Sequence, residues 1–198
     1  MKNQDYLYLD HAASTPMRKS AMDKYIEAES YGYANSSGGH KLSRNSKNLL
    51  EDSREKIAEL LNAAQGEIVF TSGGTEADNW TIKSLFNSER PNDNLVTSNI
   101  EHEAVIASAE WVSSNGFHTK YAKSDKNGLV TKDEFLGQVD NDTKVASLMW
   151  GNNETGIIQP IKDIAREIKT INSSTLFHSD VVQGIISDNI DFHKNGIE

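Results

Sequence analysis

This sequence predicts an α/β fold, a mostly parallel sheet flanked by helices, on three observations. Short strand-like apolar runs alternate with amphipathic helical stretches, the apolar residues recur with clear periods, and there is neither an internal repeat nor a low-complexity tract. Helices of this length between strands form βαβ crossovers, which lay the strands parallel and cover both faces of the sheet.

The elements follow in order. Tyr6-Leu7-Tyr8-Leu9 is strand-like and ends at Asp10. Met17 to Ser30 reads as a helix, followed by a Gly/Asn/Ser-rich loop from Tyr31 to Gly39. Leu42 to Ala64 reads as a second helix with Leu50, Ile57, Leu60, Leu61 and Ala64 on one face. Ile68-Val69-Phe70-Thr71 is a short buried strand running into Ser72-Gly73-Gly74-Thr75. A helix from about Glu76 to Asn87 leads to the strand Leu95 to Ser98, and a helix from His102 to Ser114 leads to Phe117 to Ala122. Thr131-Lys132-Asp133-Glu134 has the Thr-x-x-Glu form of a capping box and opens a short helix. Val145 to Trp150 is a strand. Pro160 then starts a helix whose apolar positions Ile161, Ile164, Ala165, Ile168 and Ile171 recur at helical steps, before a last strand from Leu176 to Asp180.

Composition narrows the function. The 198 residues carry 20 Lys plus Arg against 29 Asp plus Glu, a net charge of −9. Such an acidic chain does not have nucleic acid as its main partner, because gripping a phosphate backbone requires a basic surface. Its apolar runs are far shorter than the roughly 18 residues of a membrane span. The start lacks the apolar stretch of a secretory signal, so a cytoplasmic protein is expected. With no cysteine there is no disulfide and no thiolate metal or iron–sulfur ligand. The histidines show no spacing that makes a metal set.

In parallel sheets ligands bind beyond the carboxyl ends of the strands. Four segments sit there: Ser72 to Glu76, Asn99 to His102, Gly151 to Gly156 and Asp180 to Gln183. The first pairs two glycines with a helix N-terminus, which is either an anion cradle suited to a phosphate ester or an ordinary strand-to-helix turn. It has neither the form that binds nucleoside triphosphates nor the one that binds dinucleotides. His102 is either a stacking and proton-carrying ring or a helix cap. Asn152-Asn153 is either an amide aimed at a ligand oxygen or a turn. Asp180 is either a surface residue or a carboxylate awaiting a cation, one natural cation being a protonated pyridine nitrogen. No Gly-x-Ser-x-Gly elbow supports a serine hydrolase.

Taken together, the motifs resemble the cysteine desulfurase group of pyridoxal-phosphate enzymes, which are class V aminotransferase-like and of fold type I. The matching stretches occur in order: Tyr8 to Pro16; Asn35 with His40; Phe70 to Asn79; Glu101-His102-Glu103-Ala104-Val105; Asn152 to Gly156; and His178-Ser179-Asp180-Val181-Val182-Gln183. The resemblance implies that Gly74 and Thr75 hold the phosphate of pyridoxal 5'-phosphate and that His102 stacks on its ring and moves protons. It implies further that Asp180 pairs with the ring nitrogen, Gln183 bonds the phenolic oxygen, and Asn153 lies near the substrate carboxylate. The reaction implied converts L-cysteine to L-alanine and passes persulfide sulfur to an acceptor protein for iron–sulfur or thiolation pathways. A homodimer is implied for the full-length form. Selenocysteine lyase, another class V member, or a non-catalytic interaction remnant are the alternatives.

The departures matter too. In the family a lysine in a Ser-x-His-Lys run forms the Schiff base one strand after the Asp-x-x-Gln segment. The alignment ends at Glu198, just short of that run, and His193-Lys194 comes too early to be it. The family's persulfide cysteine has no counterpart. These departures imply an N-terminal half that is inactive alone: a segment 1–15, then an incomplete large domain 16–198, truncated before its last strands and without the small C-terminal domain.

Overall fold

The computed structural model describes residues 7–86, 90–185 and 190–197. The chain divides into two compact units, Met1–Ile68 and Val69–Glu198.

The first unit is helical. Helix α1 spans Lys19–Tyr31 and α2 spans Lys41–Leu61, followed by a 3-10 turn at Gln65–Glu67. The His40 ring starts α2 by accepting from the backbone N–H of Ser43 at 3.3 Å. Asn62 ends it in the left-handed conformation (φ 51°), returning its N–H to Ala58 and Glu59. The expected strand at the start is absent from Leu7 to Leu9, and Tyr6 lies outside the described residues. Among the described residues no neighbouring strand takes up its backbone groups; instead the Tyr8 hydroxyl closes a turn, its one proton shared between the carbonyls of Asp10 (2.6 Å) and Ser14 (3.0 Å). The apolar face expected on α2 is only weakly covered, for Leu60 is 78% exposed and the buried residues are Ser43, Ser46 and Ala58.

The second unit contains the sheet. Its elements are α3 (Gly74–Ser84), β1 (Asn94–Ser98), α4 (Glu103–Ser114), β2 (His118–Ala122), α5 (Lys132–Leu136), β3 (Thr143–Ser147), α6 (Ile161–Ile171) and β4 (Leu176–His178). The strands lie in the order β2-β1-β3-β4, and all three pairings are parallel. The predicted parallel α/β layering is therefore present. Asn87, the expected end of α3, lies outside the described residues.

Strand alternation sorts the core into two faces. Leu95 and Val145 pack with Ile82, Phe86, Val105, Ala109, Val112 and Phe117 from the α3 and α4 side. Phe177, in register with Ala146, points to the other face and meets Phe135 of α5 edge-to-face, ring centres 6.4 Å apart. Ile161, Ile164, Ala165 and Ile168 of α6 are buried as their spacing predicts, whereas Ile171 at the helix end stays partly exposed. Thr131 caps α5 by accepting from the N–H of Glu134.

Two strand expectations change. Val69 and Phe70 are exposed and form no strand, because β1, β2, β3 and β4 pair only with one another among the described residues. The carbonyl of Ile68 is taken by the Arg54 guanidinium. The β3 strand ends at Ser147, yet Leu148 and Trp150 continue alongside β4, donating to the carbonyls of His178 (3.2 Å) and Asp180 (2.8 Å).

Candidate functional site

Because all four strands run the same way, the loops after β1, β3 and β4 leave the sheet at one end. Named contacts tie these loops together. The Asn152 amide donates to the carbonyl of Ile100 at 3.0 Å, joining the exits of β3 and β1. Trp150 N–H donates to Asp180, joining β3 to β4. At the start of α3, a Cβ built on Gly74 would lie 3.0 Å from Val182 Cγ2, so the first turn of α3 sits against the segment after β4. All four predicted segments therefore meet at one rim of the second unit.

The segments differ in what they offer. Gly73 precedes α3 with φ 157°, and a Cβ there would meet no atom within 4 Å. Gly74 and Thr75 occupy the first helical turn, whose N–H groups have no intrahelical acceptor. The Glu76 carboxylate folds back to accept from Ser72 N–H at 2.6 Å, and hydrogen bonding to the Ser72 side chain, then to its N–H, holds it below the usual carboxylate range.

His102 caps α4, its Nδ1 accepting from Ala104 N–H at 3.1 Å. In the neutral ring the proton therefore sits on Nε2. The helix-capping and ligand-facing readings of His102 coexist, since the residue also lines a cleft of about 350 Å³ with Asn99, Glu101, Asn153 and Glu154. Of the two adjacent amides, Asn152 is buried and consumed by its own loop: its Oδ1 accepts from Glu154 N, Thr155 N and Thr155 Oγ1. Asn153 is the exposed one at the cleft.

Asp180 is half-buried and accepts from Val182 N–H at 2.9 Å. Burial pushes its carboxyl above the usual range, as does the Asp78 carboxylate; the Val182 bond and the charges of His178 and His102 pull it back. A carboxyl in this balance gains most from an arriving cation. Gln183 stands half-buried three residues on.

Three residues without a role in the sequence reading lie beneath this rim. Asp78 of α3 is buried with Oδ1 3.5 Å from His178 Nε2, while His178 Nδ1 and Ser147 Oγ are 2.8 Å apart. Glu101 is buried between Ser98 and Met149. The signal for His178 was available, since it precedes Asp180 by two and side chains two apart on a strand share a face. Among the described residues no acidic or histidine cluster is arranged to hold a metal.

Known proteins share this fold. The aminotransferase class-V family matches residues 7–198. The cysteine desulfurase IscS of Methanosarcina thermophila is 38% identical over 193 residues, which is 97% of this chain and 47% of that protein. A solved NifS-like protein superposes with a TM-score of 0.93 at 34% identity, over 97% of this chain and 53% of the other. A structure described as SspA in complex with cysteine gives a TM-score of 0.89 at 32% identity, over 96% of this chain and 55% of that one. The chain spans about half the length of the curated relatives it matches.

Proposed function

The chain belongs to the aminotransferase class-V family, and on that premise we propose that its second unit seats pyridoxal 5'-phosphate for a cysteine desulfurase. The observation that carries the reading is the half-buried Asp180 carboxyl, set at the same rim as a glycine-led helix N-terminus and a cleft-lining histidine. A phosphorylated pyridine needs those three things: an anion cradle, an aromatic wall and a carboxylate for the ring nitrogen. The residues present fit the group. Bound there, pyridoxal phosphate would supply the electron sink that makes the bonds of an amino acid substrate labile.

The chain's own residues then have distinct tasks. The N–H groups of Gly74 and Thr75 and the Thr75 hydroxyl hold the phosphate, assisted by the dipole of α3. Asp180 accepts from the protonated ring nitrogen, and the bond it already receives from Val182 N–H orients it. His102, anchored through Nδ1, presents its flat face and keeps Nε2 available to hold or pass a proton. Gln183 bonds the phenolic oxygen, and Asn153 faces the substrate carboxylate. L-cysteine is the substrate and a sulfur-acceptor protein takes the product sulfur, in iron–sulfur or thiolation chemistry; the longer enzyme is a homodimer.

The same reading limits what this chain does alone. It has no cysteine to carry sulfur. Among the described residues no lysine lines the cleft, and Lys194 is 81% exposed and paired with Asp191 at 3.1 Å. Isothermal titration with pyridoxal phosphate tests the proposal. One stoichiometric site is expected, weakened about tenfold or more by Thr75→Val or Asp180→Asn. With L-cysteine added, the chain alone releases no alanine. Saturable binding indifferent to both substitutions would refute the reading, as would a borohydride-fixed stoichiometric adduct on Lys194.

A further inference from the structure

Glu101 has no task in the proposed reaction, yet its environment is unusual. It is 9% exposed, at the turn between β1 and α4. Its Oε1 accepts from the Ser98 hydroxyl at 2.7 Å and from the backbone N–H of Met149 at 3.0 Å. Its Oε2 is buried with no hydrogen-bond partner among the described residues. One carboxyl oxygen thus joins the exit of β1 to the exit of β3, and the next residue is His102 at the cleft.

An ionised carboxylate offers about four acceptor sites and needs donors for them. Here one oxygen has none. The groups that interact with it electrostatically are also acidic: Asp78 of α3 and Asp180 beyond β4. Glu103, Glu154 and His102 line the same cleft, while His178 faces Asp78. A buried neutral acid is far less costly in such surroundings than a buried anion. Burial, more than the two like charges, pushes the Glu101 carboxyl up to about 8, against the opposing pull of its two hydrogen bonds.

We propose that Glu101 is a positioning residue: as an uncharged carboxylic acid it clamps the exit of β1 to that of β3, fixing His102 at the cleft wall, and losing its proton leaves a buried, half-unpaired anion beside Asp78 and Asp180 that opens this turn to water although its two accepted hydrogen bonds grow stronger. The inference rests on the reading of His102 as the aromatic wall of a pyridoxal-phosphate site.

The experiment compares the wild-type chain with Glu101→Gln, which keeps an Oε acceptor but cannot ionise, and with Glu101→Ala, which removes the acceptor. Carboxyl and amide NMR is followed from about pH 6 to about pH 10, and pyridoxine 5'-phosphate, which has no aldehyde to react with lysine, serves as the ligand. In the wild type the Glu101 carboxyl, the Met149 amide and the His102 ring should share a transition with a midpoint near 8, and in Glu101→Gln the last two should lose that transition. The ratio of wild-type to Glu101→Gln affinity should fall about tenfold across that interval. Glu101→Ala, if folded, should bind poorly even at the low end.

A Glu101 carboxyl already ionised near pH 6, or a Met149 amide and His102 ring indifferent to its titration, overturns the clamp whatever the ligand does. Coupled movement in a chain that does not bind pyridoxine 5'-phosphate supports the clamp and instead refutes the cofactor reading.

Discussion

Replacing Gly184 with alanine drives a methyl group into Trp150. The added Cβ would stand 2.6 Å from Cδ1, 2.7 Å from Cγ and 2.9 Å from Cβ of the indole side chain. Carbon atoms in contact prefer about 3.5–4.0 Å, so the overlap is roughly 1 Å with three atoms at once. Trp150 has little freedom to retreat. It is 1% exposed, its N–H is bonded to Asp180, and its carbonyl accepts from Gln159 N–H at 2.8 Å. The turn from Val181 to Gly184, closed by a 2.9 Å bond, must shift instead. Overpacking of this kind costs about 1–3 kcal/mol. In a chain of this size each kcal/mol corresponds to about 2–4 °C, so the melting temperature should fall by roughly 2–12 °C. Thermal melts give the temperature shift and urea denaturation the free energy, both followed by Trp fluorescence and circular dichroism. Gly66→Ala and Gly151→Ala are the controls, since a Cβ at either position meets nothing within 4 Å and neither residue has a positive φ. Both should stay within about 0.5 kcal/mol of wild type. Because Gly184 follows Gln183 and Trp150 precedes Gly151, Gly184→Ala should also weaken pyridoxal phosphate binding. A Gly184→Ala variant as stable as the controls would refute the packing argument.

Three further outcomes are expected. Phe135→Ala removes a fully buried ring that meets Phe177 edge-to-face, and should lower the unfolding free energy by about 3–5 kcal/mol in urea titrations. Partial burial pushes the Asp140 carboxyl up, but hydrogen bonds from Lys120, Asn94, Asp142 N–H and Thr143 outweigh it and bring it to about 2. Its folded value lies below its unfolded one, so its contribution is present above the usual carboxylate range and lost as pH falls toward 2. Asp140→Asn should therefore destabilise the chain near neutrality, and the two denaturation midpoints should converge in acid. For Glu101 the sign is opposite: a folded value raised to about 8 means stability that is complete in mild acid and lost as pH rises through that value. Between about pH 5 and pH 8 the difference between wild type and Glu101→Gln should change by about 1.4 kcal/mol per pH unit, one proton's worth.

Where one stretch carried its own structural cause, the sequence was readable. The steps of Ile161, Ile164, Ala165 and Ile168 placed a buried helical face, and Thr131 with Glu134 placed a helix start. Strands β1, β2, β3 and β4 were legible because each is a short stretch with apolar residues bounded by turn residues, and parallel order followed from the helices between them. Strand character at Leu7 to Leu9 and at Val69-Phe70 was misleading, since a strand also needs a neighbour for its backbone groups, and pairing is not encoded locally. At the rim, Asp180 and His102 could be singled out because each ends or starts an element at the ligand-binding end of a parallel sheet. The contributions of Glu101 and Asp78 could not be read, because they arise from burial and from partners at Met149 and His178, distant in sequence.

The central claim is that four loop tips at one rim of the second unit seat a single phosphorylated pyridine. Its most direct test is the amide NMR spectrum of the isotopically labelled chain titrated with pyridoxine 5'-phosphate. The account predicts saturable shifts concentrated at Gly74, Thr75, His102, Asn153, Asp180 and Gln183, with the α6 amides unmoved. Shifts scattered over the exposed lysines, or a saturable set that omits Thr75 and Asp180, would contradict it.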